Sequence, residues 1–320
     1  MSHRFLAAAV LALSLTPLHG TAQEADTAQL RFGWTPGMRA EVEYDRVRVR
    51  TTEEGQDSTY LAYVYRLETE PHPEGMRLRF AGMRWTELPE LEGPAGQFLQ
   101  AIGRIDSGGK PSYVVSQAGE FLRLEGTEQM ADELRAAFQP IMAELQGEGL
   151  AALRNMMEAM LSEEGLAGAA ANEWSTLVEA WADTDMAMSD LFVLEDSFQT
   201  PVFPGVDIPI TIHIDMIGRV PCTEAEVDDD APRCVELQTT SIPEREAMRQ
   251  AIGGFIQQLG LPEEEVDEVL SQLRVETYVK LVTEPGTLRP HSMQTIKVVS
   301  GGVDEEPMQW EMETYRYRWR

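Results

Sequence analysis

The chain has 320 residues, 54 acidic against 26 basic, a formal charge of −28, and 43% hydrophobic and 25% charged residues. That composition is globular rather than disordered, and the length allows one large domain or two small ones. So negative a surface repels nucleic acid and anionic headgroups; it argues against DNA, RNA or peripheral membrane binding and favours cations or basic partners.

Residues 1–22 read as a secretory signal peptide. Arg4 supplies the positive start, Phe5–Leu15 the apolar stretch, and Gly20, Thr21 and Ala22 the small residues of a cleavage site. The stretch is too short for a transmembrane anchor, and no cysteine lies nearby to take a lipid. Residues 23–320 are therefore expected to form one exported domain, soluble in the periplasm or secreted and not membrane-spanning. Few lysines (Lys110, Lys280, Lys297) and few asparagines (Asn155, Asn172) fit the codon bias of a GC-rich bacterial genome. Cys222 and Cys234, the only cysteines, are expected to form a disulfide in that compartment. The loop between them carries Glu224, Glu226, Asp228, Asp229 and Asp230, whose repulsion a covalent bridge would restrain. A reactive thiol pair would need a CxxC spacing or clustered positive charge, and neither is there.

Taken in order, Arg39–Arg50 alternates as a strand, with Ala40, Val42 and Tyr44 on one face. Val47 and Val49 follow in the opposite phase, which predicts a bulge at Asp45-Arg46. Thr59–Leu67 places Leu61, Tyr63, Tyr65 and Leu67 together, with Tyr60, Ala62 and Val64 behind them, a pattern of cover on both faces. Met76, Leu78 and Phe80 alternate with arginines, and Met83 and Trp85 resume after Ala81-Gly82. Ser112–Leu124 reads as two short strands about Gln117–Gly119. The period then becomes helical over residues 127–182, where Pro140 is expected to kink or split the first helix. Strands return at Phe203–Gly218 and Val235–Thr240, the latter folding back across the disulfide loop as a hairpin. A second helical insert spans residues 243–273, with a break at Gly260–Pro262. Val275–Val282, Arg289–Val299 and Met308–Trp319 complete the chain as strands.

The expected fold is therefore α+β: a mainly antiparallel curved sheet or open barrel of about nine or ten strands, with two helical inserts lying over it. Three segments carry a resemblance: Gly33-Trp34-Thr35-Pro36-Gly37, the run Val114–Phe121 before the helical insert, and Phe203-Pro204-Gly205 opening the second strand block. In this order they resemble uncharacterised bacterial periplasmic β-rich families and, more distantly, the curved-sheet carriers that shuttle lipoproteins or lipids between membranes. The carrier likeness implies an apolar groove between sheet and helices.

Catalytic signatures are missing from the sequence. Ser116 and Ser300 lack a Gly-x-Ser-x-Gly elbow. His213 beside Asp215 is the one His/Asp pair on a single strand face and the basis of a third candidate, a hydrolase. There is no HExxH, paired CxxC or EF-hand loop, so no cofactor or metal is expected. Asp183, Asp185 and Asp190, or Asp228–Asp230, could offer oxygens to calcium but lack the glycine and closing glutamate of a defined loop. Gly103–Pro111 fails the spacing of a phosphate loop. Methionine is the remaining signal: seven of 16 fall within residues 127–190, and methionine adapts to irregular apolar partners. The leading expectation is a non-enzymatic exported protein that holds a hydrophobic small molecule or lipid between sheet and helices. Tyr63, Tyr65, Phe80 and Trp85 would line the sheet side, and Met156 and Met160 the helix side. The alternative is a structural or interaction protein of the cell envelope whose acidic surface docks a basic partner.

Overall fold

β-branched and aromatic residues alternating with polar ones give most of this chain strand character. The computed structural model describes residues 27–52, 55–88, 111–144, 154–155, 158–188, 190–200, 203–226, 232–258, 273–300 and 307–320. The N-terminal strands are β1 (Thr27–Leu30), β2 (Arg39–Thr52), β3 (Gly55–His72), β4 (Gly75–Glu87), β5 (Ser112–Val115) and β6 (Phe121–Glu125). Helices α1 (Thr127–Glu144) and α2 (Glu163–Trp174) follow, and α2 runs into a π-helical turn at Ser175–Glu179. Then come β7 (Thr184–Ala187), β8 (Leu191–Thr200), β9 (Phe203–Val220), β10 (Cys234–Pro243), α3 (Arg245–Gln258), β11 (Arg274–Glu284), β12 (Arg289–Ser300) and β13 (Pro307–Trp319).

Eleven strands make one antiparallel sheet in the order β6-β5-β4-β3-β2-β13-β12-β11-β10-β9-β8, and β1 pairs with β7 in a separate ribbon. The sheet is thus two meanders, one from each end of the chain, joined where β13 pairs with β2 from Gln309↔Arg50 to Trp319↔Ala40. Arg320 continues the seam, its N–H donating to the Arg39 carbonyl at 2.9 Å. The sheet is curved and unclosed, and the α+β layout matches expectation. The described residues hold thirteen strands rather than nine or ten. β1, β7 and β8 are the additions: the first two have four residues each, and β8 opens on an unalternating Leu-Phe-Val-Leu run.

The expected bulge at Asp45-Arg46 does not form. β2 keeps an unbroken register with β3 from Arg39↔Glu68 to Thr52↔Gly55 and with β13 alongside. The phase change in the sequence is a change of chemistry along one face: Tyr44 is followed there by Arg46 and Arg48, and Val47 and Val49 sit on the other face. A bulge the sequence did not announce forms in β4 instead, between Arg84 and Ala81 opposite Val64 and Arg66 of β3. Gly82 takes φ +64° there, a conformation that favours glycine. β3 is covered less evenly than its pattern predicts: Ala62 is buried, but Tyr60 is 40% exposed. α1 continues through Pro140 to Glu144. The expected Gly260–Pro262 break, Asp228–Asp230 and the expected 1–22 signal peptide lie outside the described residues.

α2 begins at Ser162, whose Oγ accepts from the Gly165 N–H at 3.0 Å. Glu163 and Glu164 sit in its first turn, where their charge complements the helix dipole. Its inward residues Ala170 and Trp174, with Leu177, Val178 and Trp181 beyond, are buried in the main core. That core lies on one face of the sheet, the inner face, and takes in Ala28 and Leu30 of β1 and Met186 of β7. Cys222 and Cys234 are bridged, with Cα atoms 5.1 Å apart, in a second buried cluster with Val282.

Candidate functional site

Strand register brings one row of side chains across the inner face. Trp85 of β4 lies opposite Tyr63 of β3, which faces Tyr44 of β2, which faces Tyr315 of β13. The same row continues through Met293, Leu281, Leu237 and Met216 on β12 to β9. Ring centroids along its aromatic part are 5.1 Å for Trp85–Tyr63, 4.5 Å for Tyr63–Tyr44 and 4.7 Å for Tyr44–Tyr315. Cross-strand aromatic pairs of this kind each add a fraction of a kcal/mol, up to about 1, to the sheet.

On one side of the row the face is fully packed. Tyr65, Val42 and Tyr317 form the next register line, and Phe80 and Tyr113 extend it. α2 lies over this end: Trp174 meets Trp34 edge-on at 5.4 Å, and Trp34 meets Trp319 at 5.1 Å. Each indole N–H finds a carbonyl: Trp34 that of Leu288 (3.2 Å), Trp174 that of Gly119 (2.7 Å), Trp319 that of Pro290 (2.7 Å). Gly119 is required for this close approach, since it takes φ +89° and a Cβ there would lie 2.6 Å from the Phe32 ring. The space left between Trp34, Tyr65, Phe80, Tyr113, Glu173 and Trp174 is about 10 Å³, room for a single water. α2 also directs one carboxylate inward, Glu173, whose Oε2 accepts from the Tyr113 hydroxyl at 2.9 Å.

On the other side of the row the same face turns polar. The next register line runs Leu61, Arg46, Glu313, Thr295. The line after it holds Arg48, Glu311 and Lys297. Glu311 Oε2 takes Arg46 Nη2 at 2.6 Å and Arg48 Nε at 2.8 Å, while Arg46 Nε lies 3.6 Å from Glu313. Burial opposes ionisation of Glu311, but the two guanidinium groups outweigh it and hold the carboxyl below its usual value. Glu313 goes the other way: burial, with the charges of Glu311 and Glu173, raises it against the pull of Arg46. Burial likewise pushes Tyr44, Tyr63 and Tyr315 up, so the row stays protonated at any physiological pH.

Of the residues singled out in the sequence, Tyr63, Tyr65, Phe80 and Trp85 come together in this one ring network. Met160 is 47% exposed and stands outside the core cluster; Met156 lies outside the described residues. The site also contains Tyr44, Tyr315, Tyr317, Trp34, Trp174, Glu173 and the Arg46–Glu311–Glu313 group, none of which the sequence marks as site residues. The alternation Tyr315, Tyr317, Trp319 at the chain end was the signal for part of this, but nothing local says which strand it pairs with. His213 and Asp215 sit on the outer face, away from the row. Asp215 Oδ1 is buried without a hydrogen-bond partner, and burial with the nearby Glu236 charge raises its carboxyl. Asp185 is held by Arg31 at 2.8 Å and Asp190 accepts from the Ala187 N–H at 3.0 Å, so these carboxylates are engaged in structure. His291 lies within 4.8 Å of both bridged sulfurs, and its ring meets Glu284 Oε1 at 3.1 Å.

Fold and site together define an open antiparallel sheet whose helix-capped inner face grades from aromatic to charged. No protein-family model matches the chain, and no curated protein matches it in sequence. Among solved structures it is similar to a chain described under lipid–protein interactions in lipovitellin, with a TM-score of 0.40 and 9% identity. That similarity covers 90% of this chain and 25% of the other, so this chain spans about a quarter of that protein's length. Among the described residues, no helix is long and apolar enough to cross a membrane.

Proposed function

We propose that this is a non-enzymatic, exported protein that binds a hydrophobic, lipid-sized ligand along the inner-face row Trp85–Tyr63–Tyr44–Tyr315. One observation carries the reading: along a single face, in unbroken register from β3 through β2 to β13, a packed aromatic core gives way to a row in which Trp85, Tyr63 and Tyr315 are partly exposed and Tyr44 is buried, and then to a paired Arg/Glu border. A face with that gradient suits an amphiphile, whose apolar part lies on the rings and whose polar end meets Arg46, Arg48, Glu311 and Glu313. The ligand lies on the row and not beneath α2, because the space under α2 holds only about one water. The bridged Cys222–Cys234 pair favours a compartment outside the reducing cytosol, periplasmic or secreted.

Native mass spectrometry of protein purified from its own compartment, with titration of a single-chain lysophospholipid followed by tryptophan fluorescence, tests this reading. The expected outcome is a co-purifying or titratable amphiphile, with affinity falling about 10-fold in Trp85→Ala, the loss of one large ring contact. A clean apo mass together with no response to the lysophospholipid would overturn it. A second reading, docking of a basic protein partner on an acidic surface, is favoured by a different part of the molecule, the β8 edge.

A further inference from the structure

The geometry points to the free edge of β8 as a strand-docking site for an extended segment of another protein, apolar in its middle and basic at its ends. This site is separate from the inner-face row and does not depend on it. β8 terminates the sheet order, so the backbone groups along its outer side have no strand to pair with among the described residues. Met188, Leu191, Phe192, Val193, Leu194 and Ile217 gather at this edge, each between 44% and 61% exposed. An exposed apolar cluster of that size on a strand edge marks an interaction surface. Register places Phe192 and Leu194 on the inner face and Leu191 and Val193 on the outer face. A strand added beside β8 would therefore cover apolar side chains on both faces at once, the β-augmentation mode of peptide recognition.

Charge decides the occupant. Glu195 and Asp196 follow the apolar run on β8, one on each face, and both are exposed; Asp190 precedes it. A two-fold pairing of two copies that aligns the apolar runs sets Val193 against Val193 and Phe192 against Leu194, since opposed residues share a face. The same pairing puts Asp190 of each copy against Asp196 of the other, between chains that each carry −28. Like charges directly opposed are destabilising, so a second copy is disfavoured. Lysines or arginines flanking a partner's apolar run would meet those carboxylates instead. An arginine beside Leu191 could also reach Asp215, which lies opposite Leu191 on β9 with one buried oxygen unpartnered. At the far edge, by contrast, β6 has five residues and packs against α2.

The test uses the full mature chain and two fluorescent peptides of alternating valine and tyrosine, one flanked by arginine pairs and one by glutamate pairs. The arginine-flanked peptide is expected to bind saturably and about 10-fold or more tightly than its glutamate twin. Its binding should weaken as NaCl rises from about 0.05 M to about 0.5 M. Val193→Lys, which places a blocking charge on the edge, is expected to cost about 10-fold or more in binding with an unchanged circular dichroism spectrum. If that variant misfolds, Leu194→Gln reads the same edge more gently, and Leu122→Lys on β6 should leave binding unchanged. Equal binding of the two peptides, indifference to Val193→Lys and Leu194→Gln, or no binding of either peptide would overturn the proposal. So would a wild-type dimer in sedimentation that Val193→Lys dissolves, since the occupant would then be a second copy.

Discussion

The two wings of the sheet are built from similar strand sequences and end up in opposite states. In the β3–β6 wing, Tyr65, Leu67, Leu78 and Tyr113 are at most 6% exposed because α2 and the segment through Trp34 lie over them. In the β8–β9 wing, Leu191, Phe192, Val193 and Leu194 are no less apolar, yet nothing described covers them. Apolar character therefore sets what a strand can bury, and the neighbouring element decides whether it does. A helix-capped wing makes a core, and an uncapped edge leaves its apolar side chains exposed.

Removing the cap is the strongest way to break this contrast. Trp174→Ala should cost about 3–5 kcal/mol of unfolding free energy, combining a large cavity with the lost bond to Gly119. Urea unfolding followed by circular dichroism measures it, and a loss below about 1 kcal/mol would mean that the capped wing does not depend on α2.

A smaller effect is expected at the turn that ties the capping segment down. The turn between β11 and β12 receives the Arg31 and Gly33 N–H groups on the Pro285 and Thr287 carbonyls and the Trp34 indole on Leu288. Glu284 fixes this turn, accepting from Arg289 Nε at 2.9 Å and Thr287 Oγ1 at 3.0 Å, with His291 Nε2 at 3.1 Å. Burial alone would raise the Glu284 carboxyl, but its bonds to Arg289, His291 and Thr287 prevail and lower it. A carboxyl lowered on folding stabilises the folded state above its unfolded value of 4.5, and that contribution is lost as the pH falls through the depressed folded value. Glu284→Gln should cost about 1–2 kcal/mol at neutral pH, from weakened charged hydrogen bonds. It should also flatten the loss of stability that the native chain shows on acidification below pH 4.5. Stability curves of equal slope in the two proteins would remove Glu284 from this role.

The smallest effect belongs to the open wing. Phe192→Ser should change stability by no more than about 0.5 kcal/mol, because the side chain it removes is already 44% exposed. A loss comparable to that of Trp174→Ala would show that the β8 edge is part of the core after all.

Much of this was legible in the chain. The alternation in Thr59–Leu67 and the strand pattern over Phe203–Gly218 gave strands, and the change of period after Thr127 the insert, but the bulge at Gly82 was not foreseen. The short β1 and β7 were not legible, because four residues carry no periodic signal and their pairing is made across more than 150 residues. β8 was missed because its apolar run does not alternate, which is what a strand exposed on both faces looks like. At Asp45-Arg46 a change of side-chain chemistry along one face imitated a slip in register. Sequence alone therefore determined the longer, periodic elements and the pairing of the two cysteines, since backbone periodicity and redox chemistry are local properties. The β2–β13 seam, the row Trp85–Tyr63–Tyr44–Tyr315 and the split between capped and open wings were decided only in the tertiary structure. Register between distant strands depends on which faces can be buried together, and no single segment contains that information.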